Sequence, residues 1–124
     1  INNGTNFIAV GGGGTNTIAY STNATQWTGL GTSVFSFEGN SLTYNGSIIV
    51  SSGQNNFYYY ALGSSLYFNF AYSTNDVTTW TGRSITSIFN NGNSITTNKS
   101  IWLAAGDGSN SLAYLSPFQN QSGT

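Results

Sequence analysis

Apolar runs of about four to six residues alternate along this chain with stretches of Gly, Asn, Ser and Thr. No run carries apolar residues at the i, i+3, i+4 spacing of an amphipathic helix, so the pattern predicts short strands joined by tight turns. The runs can be laid on one another. Phe7-Ile8-Ala9-Val10-Gly11 matches Ile49-Val50-Ser51-Ser52-Gly53 and Trp102-Leu103-Ala104-Ala105-Gly106, at offsets of 42 and then 53 residues. A second signature follows each: Ile18-Ala19-Tyr20-Ser21, Phe70-Ala71-Tyr72-Ser73 and Leu112-Ala113-Tyr114. A third occurs twice, as Trp27-Thr28-Gly29 and Trp80-Thr81-Gly82. The fourth is Val34-Phe35 with Gly39-Asn40-Ser41-Leu42, against Ile88-Phe89 with Gly92-Asn93-Ser94-Ile95.

The order of the four signatures never changes. Self-similarity at a period of roughly 40–45 residues, with four strands per unit, predicts an all-β fold of antiparallel four-stranded repeats like the blades of a β-propeller. A β-trefoil is the alternative, because three units of four strands also fit its arithmetic; its Gln-x-Trp signature is absent. The chain reads as a single repeat domain or a fragment of one, with units at about 7–47, 48–100 and 101–124. It starts at Ile1, and is expected to be processed or part of a longer polypeptide. Gly11, Gly53 and Gly106 are expected at strand ends, where positive φ or close backbone approach excludes a side chain. Asn45-Gly46 and Asn91-Gly92 read as two-residue hairpin turns.

One segment has no counterpart in the other units. Asn55 to Asn69 reads as an aromatic hairpin, with Phe57, Tyr58, Tyr59 and Tyr60 on one arm and Leu66, Tyr67 and Phe68 on the other. Successive strand side chains alternate sides, so both faces of this hairpin are aromatic and both need partners. These seven residues are the expected binding or interface site. The recurring Tyr20, Trp27, Tyr72, Trp80, Trp102 and Tyr114 are expected to pack between strands as repeat structure.

Composition narrows the chemistry. The only charged residues are Arg83, Lys99, Glu38, Asp76 and Asp107, giving a net charge of −1. The 19 aromatic residues set the chain apart from disordered sequences, which pair high charge with few aromatics. With no His and no Cys, a Ser nucleophile has no imidazole base and zinc has no soft ligands. The three carboxylates are read as turn residues, which removes the paired acids that glycoside hydrolysis requires. Gly11 to Gly14 lacks the following Lys-Ser/Thr of a phosphate loop. Two basic residues give nucleic-acid binding no electrostatic support. No run of 18 apolar residues occurs, so no membrane insertion by a helix is expected. No catalytic residue, metal site or cofactor is expected.

The unit resembles the Asp-box (bacterial neuraminidase) repeat, Ser-x-Asp-x-Gly-x-Thr-Trp. Ser73 to Trp80 keeps the Ser, Thr and Trp at that spacing, with Asn75 at the Asp position and Val77 at the Gly position. Ser21 to Trp27 is one residue shorter, and the third copy has no Trp. The chain is also similar to tandem repeats of surface and virion proteins of large DNA viruses and microbes. The resemblance implies a hairpin that packs its Trp between strands and is not the catalytic site of sialidases. It also implies an extracellular or virion-surface location. The function expected is a non-enzymatic structural or recognition module with protein partners or self-assembly; the alternative is a lectin-like, carbohydrate-binding module.

Overall fold

The computed structural model describes residues 1–54, 68–74, 76–83 and 89–115. Ten strands and no helix occur among them: β1 Phe7–Val10, β2 Ile18–Ser21, β3 Thr28–Gly29, β4 Glu38–Tyr44, β5 Ile49–Gln54, β6 Phe70–Ser73, β7 Thr81–Arg83, β8 Asn91–Thr97, β9 Trp102–Asp107 and β10 Leu112–Leu115. They form three antiparallel sheets. The first has the order β1-β2-β3, the second β4-β5-β6-β7 and the third β10-β9-β8. The described strands close into neither a barrel nor a ring.

The sheets confirm an all-β, antiparallel fold, and they show how the signatures are grouped. The fourth signature opens the next sheet: β4 pairs with β5 and β8 with β9. The second sheet therefore uses the signatures in the order four, one, two, three, the first holds one, two and three of that order, and the third holds four, one and two. In the first sheet Ile1 and Asn2 stand where Thr43 and Tyr44 stand in the second. Asn2 bridges Phe7, and Ile1 and Ile8 exchange backbone hydrogen bonds. The same turn follows in all three, from the Asn3 N–H to the Asn6 carbonyl, Asn45 to Ile48 and Asn98 to Ile101. In each turn the leading Asn side chain accepts two backbone N–H groups, as an Asx turn does.

Asn45-Gly46 lies in a turn as expected, with Gly46 at φ 102°, but the connection between the paired Tyr44 and Ile49 is longer than two residues and is closed by the Asn45 N–H on the Ile48 carbonyl. Asn91-Gly92 is not in a turn. It opens β8, opposite Asp107 and Gly106, and the turn lies at Asn98-Lys99. Gly92 is required by close approach instead. A Cβ there would lie 2.4 Å from the Asn69 carbonyl oxygen and 3.0 Å from the Ser52 Cβ. Gly39 has the same role one unit earlier, 2.6 Å from the Val10 Cβ and 3.1 Å from the Thr17 carbonyl oxygen. Just after each, the register slips by one residue, at Asn40 and Asn93, a bulge repeated at the same place.

Strand alternation fixes which face each residue serves. Ile8 and Ile18 of the first sheet meet Ile49 and Ala71 of the second, with Phe35 and Val77, in one core. Val50 and Phe70, on the opposite face of the second sheet, meet Trp102 and Ala104 of the third, with Phe89 and Ile95, in another. The second sheet is thus the middle layer, buried on both sides. Phe35 and Phe89 are the equivalent keystones, each fully buried. The space of a glycine Cβ receives each ring: that of Gly53 for Phe35 and that of Gly106 for Phe89. Each is also tied to the sheet before it. The Thr17 hydroxyl and the Asn69 side-chain amide each donate to the phenylalanine carbonyl, both at 2.8 Å. Gly11 matches Gly53 and Gly106 in sequence, yet nothing lies within 4 Å of its Cβ position.

Candidate functional site

The three tyrosines of the second signature occupy one register position. Tyr20 is opposite Ile8, Tyr72 opposite Val50 and Tyr114 opposite Leu103. Tyr20 and Tyr72 are partly buried against the two cores, whereas Tyr114 is 74 % exposed. Arg83 lies over the Tyr72 ring, 5.5 Å from its centroid, and donates to its hydroxyl at 3.3 Å. That hydrogen bond draws the Tyr72 phenol below its ordinary pKa of 10.0.

The turns after β2 and β6 are built alike. The Asn23 side-chain oxygen accepts the Thr25 and Gln26 N–H groups, and the Asp76 carboxylate accepts those of Thr78 and Thr79. Ser21 and Ser73 each donate a hydroxyl to that hub. The next residue is left-handed in both turns, Ala24 at φ 62° and Val77 at φ 57°. Each indole then donates back into its turn, Trp27 to the Ala24 carbonyl and Trp80 to that of Val77. Asp76 is therefore the hub of its turn; Asn75, expected at the acidic position, lies outside the described residues. The Thr79 N–H is the main cause holding the Asp76 carboxyl below its usual 3.8. The two indoles then part company. Trp80 packs against the core shared with the first sheet, while Trp27, with no sheet on that side among the described residues, is 45 % exposed.

Glu38 and Asp107 are not turn residues. They sit in β4 and β9 at matched register positions, Glu38 opposite Gln54 and Asp107 opposite Asn91. Each pairs a carboxylate with an amide: Gln54 donates to Glu38, and the Asn91 amide donates to Asp107 at 3.3 Å. The carboxylate has changed strands between units while the pair has stayed. Both strands extend one residue past the glycine expected to end them, so this pairing continues the ladder where a turn was expected. Among the described residues, no three His, Cys, Asp or Glu side chains cluster as metal ligands.

Of the aromatic interface residues, Phe57, Tyr58, Tyr59, Tyr60, Leu66 and Tyr67 lie outside the described residues. Phe68 is half-buried; its ring occupies the space above Gly82 and packs against the first core. Two features escaped the sequence reading. One is a cleft of about 270 Å³ between the first and second sheets, whose lining includes Leu30, Ser33, Val34, Thr78, Thr79 and Trp80. It offers hydroxyls and apolar surface but no titratable group. The other is a pair of open sheet faces at the two ends of the stack. Leu103, Leu112 and Tyr114 are 46 %, 65 % and 74 % exposed at one end, and Phe7 and Trp27 are 36 % and 45 % exposed at the other. Strand alternation separates the faces but does not tell which are covered. No protein-family model matches the chain, and neither a curated protein nor a solved structure matches it.

Proposed function

We propose that the chain is a non-enzymatic structural and recognition module of a surface assembly, such as a virion, fibre or cell-surface protein, built from propeller-blade-like repeats. One observation carries this reading: the middle sheet is covered on both faces by copies of itself, through the same contacts. Repeats of this kind bury little surface alone and gain stability from like neighbours. Strand order within the middle sheet follows chain order, as in a blade. The carboxylates support the reading too, because Glu38, Asp76 and Asp107 are each engaged by an amide or a turn. Few charges and many Asn, Ser and Thr suit an extracellular surface that associates. The test is a panel of glycoside substrates with the purified chain. The scaffold reading expects no turnover; turnover abolished by Glu38→Gln contradicts it.

A second reading, a carbohydrate-binding module, rests on the cleft beside Trp80, where an aromatic side chain and three hydroxyl-bearing residues converge. Glycan-array binding lost in Trp80→Ala, with the fold retained by circular dichroism, would favour it.

A further inference from the structure

We propose that the open face of the third sheet docks onto the open face of the first sheet of a second copy of this chain, head to tail. The inference rests on the scaffold reading and names its partner. Leu103 corresponds to Ile8 and Val50, each of which stands opposite its own sheet's tyrosine. Ile8 is 2 % exposed and Val50 0 %, because a following sheet covers them. Leu112 likewise corresponds to Ile18 and Phe70, which are 2 % and 1 % exposed. The third sheet keeps apolar residues at all of these positions, and no sheet among the described residues covers them. They are contiguous, since Tyr114 is the direct cross-strand partner of Leu103.

The complementary face is at the other end. Inside the stack, such faces are met by Ile49 and Ala71 in the second sheet and by Trp102 and Ala104 in the third. The first sheet carries Phe7 in place of Ile49 and Trp102, and Ala9 and Ala19 in place of Ser51 and Ala71, all of it partly or fully exposed. Trp27 stands where Trp80 packs against the preceding sheet. The two open faces are thus the two halves of the interface already used twice inside the chain. Alternation along β9 places one charged side chain, Asp107, on the open face of the third sheet; it lies at the end of the strand, hydrogen-bonded to Asn91, and the net charge of −1 provides little repulsion between copies. The contact is heterologous, so it builds a ring if its rotation closes and a filament if it does not. Docking between separate copies carries an orientational entropy cost that the internal interfaces avoid. Association therefore depends on concentration.

Two single substitutions test it. Leu103→Glu blocks one face and Phe7→Glu the other, and circular dichroism verifies that each variant folds; Leu112→Glu replaces Leu103→Glu should the latter not fold. By sedimentation velocity, the wild type is expected to grow beyond the 13.1 kDa chain with concentration, and each variant alone to stay at it. The decisive sample is the mixture. One blocked face on each variant leaves one productive pairing, so the mixture stops at a dimer. A mixture that stays monomeric overturns the proposal, as does association abolished by Leu103→Glu but untouched by Phe7→Glu, which marks a symmetric contact. A wild type that is monomeric up to millimolar overturns it as well; the face is then covered by a further repeat or a different protein. That last result leaves the scaffold reading intact, because glycoside turnover judges that reading separately.

Discussion

Truncating the two keystone rings, by Phe35→Ala and Phe89→Ala, tests whether the interfaces are equivalent. Each ring is fully buried, and each fills the space above a glycine, Gly53 or Gly106, that has no side chain to move in after it. Phe89 also stands 5.8 Å from the Phe70 ring, centroid to centroid, at 53°. Large-to-small changes of this kind cost about 3–5 kcal/mol, and a site that cannot collapse falls at the upper end. A domain of this size has roughly 5–15 kcal/mol in total, so either change removes a large share. Because β5 and β6 contribute to both cores, loss of either core is expected to lower the stability of the whole stack, in one transition. Urea unfolding followed by tryptophan fluorescence reports on both: Trp80 lies at the first core and Trp102, 2 % exposed, in the second. The two variants should shift the midpoint by similar amounts. A cost below about 1 kcal/mol for either variant, the range of surface substitutions, would show that the two interfaces are not equivalent.

Ser52 is 0 % exposed and its hydroxyl has no hydrogen-bond partner among the described residues, while Val10 and Ala105 occupy the matching positions. Ser52→Ala should therefore raise stability by about 1 kcal/mol in the same assay. Gly92→Ala forces a Cβ to 2.4 Å from a backbone oxygen and should cost about 1–3 kcal/mol, seen as a lower thermal midpoint. In the Asp76 turn, Asp76→Asn should be close to neutral, since Asn23 forms the same hub in the other copy, whereas Asp76→Ala should cost about 1 kcal/mol. The folded carboxyl is held below its usual 3.8, so its contribution is present above that pH and is lost as pH falls through the lower folded value. An acid titration of stability should show this loss for the wild type and a smaller one for Asp76→Asn.

Much of this architecture was legible in the sequence, because strand chemistry is local. Phe7–Val10, Ile18–Ser21, Phe70–Ser73 and Trp102–Gly106 are all strand, and the tyrosines fall in register. The phase of the unit was not legible: self-alignment is unchanged when a signature is moved from the end of one unit to the start of the next. Only hydrogen bonding assigns β4 to β5. Asn91-Gly92 misled because its turn propensity is local, whereas the need for a glycine is imposed by Asn69 and Ser52 of another sheet. Glu38 and Asp107 misled for the same reason, since a glycine inside a strand, bulged as β4 is or regular as β9 is, looks like a turn. Val77 was placed at a glycine position of its motif, and its φ of 57° is the conformation a glycine there would adopt without strain. Its side chain is nonetheless buried in the first core.

Native-state hydrogen exchange of the backbone amides tests the layered stack most directly, since protection follows the free energy of local opening. With the second sheet buried on both faces, the β5 amides that donate within its ladders should exchange slowest, at the rate set by global unfolding. The β10 amides, on an open face, should exchange faster by orders of magnitude. Equal protection of β5 and β10 would contradict the account.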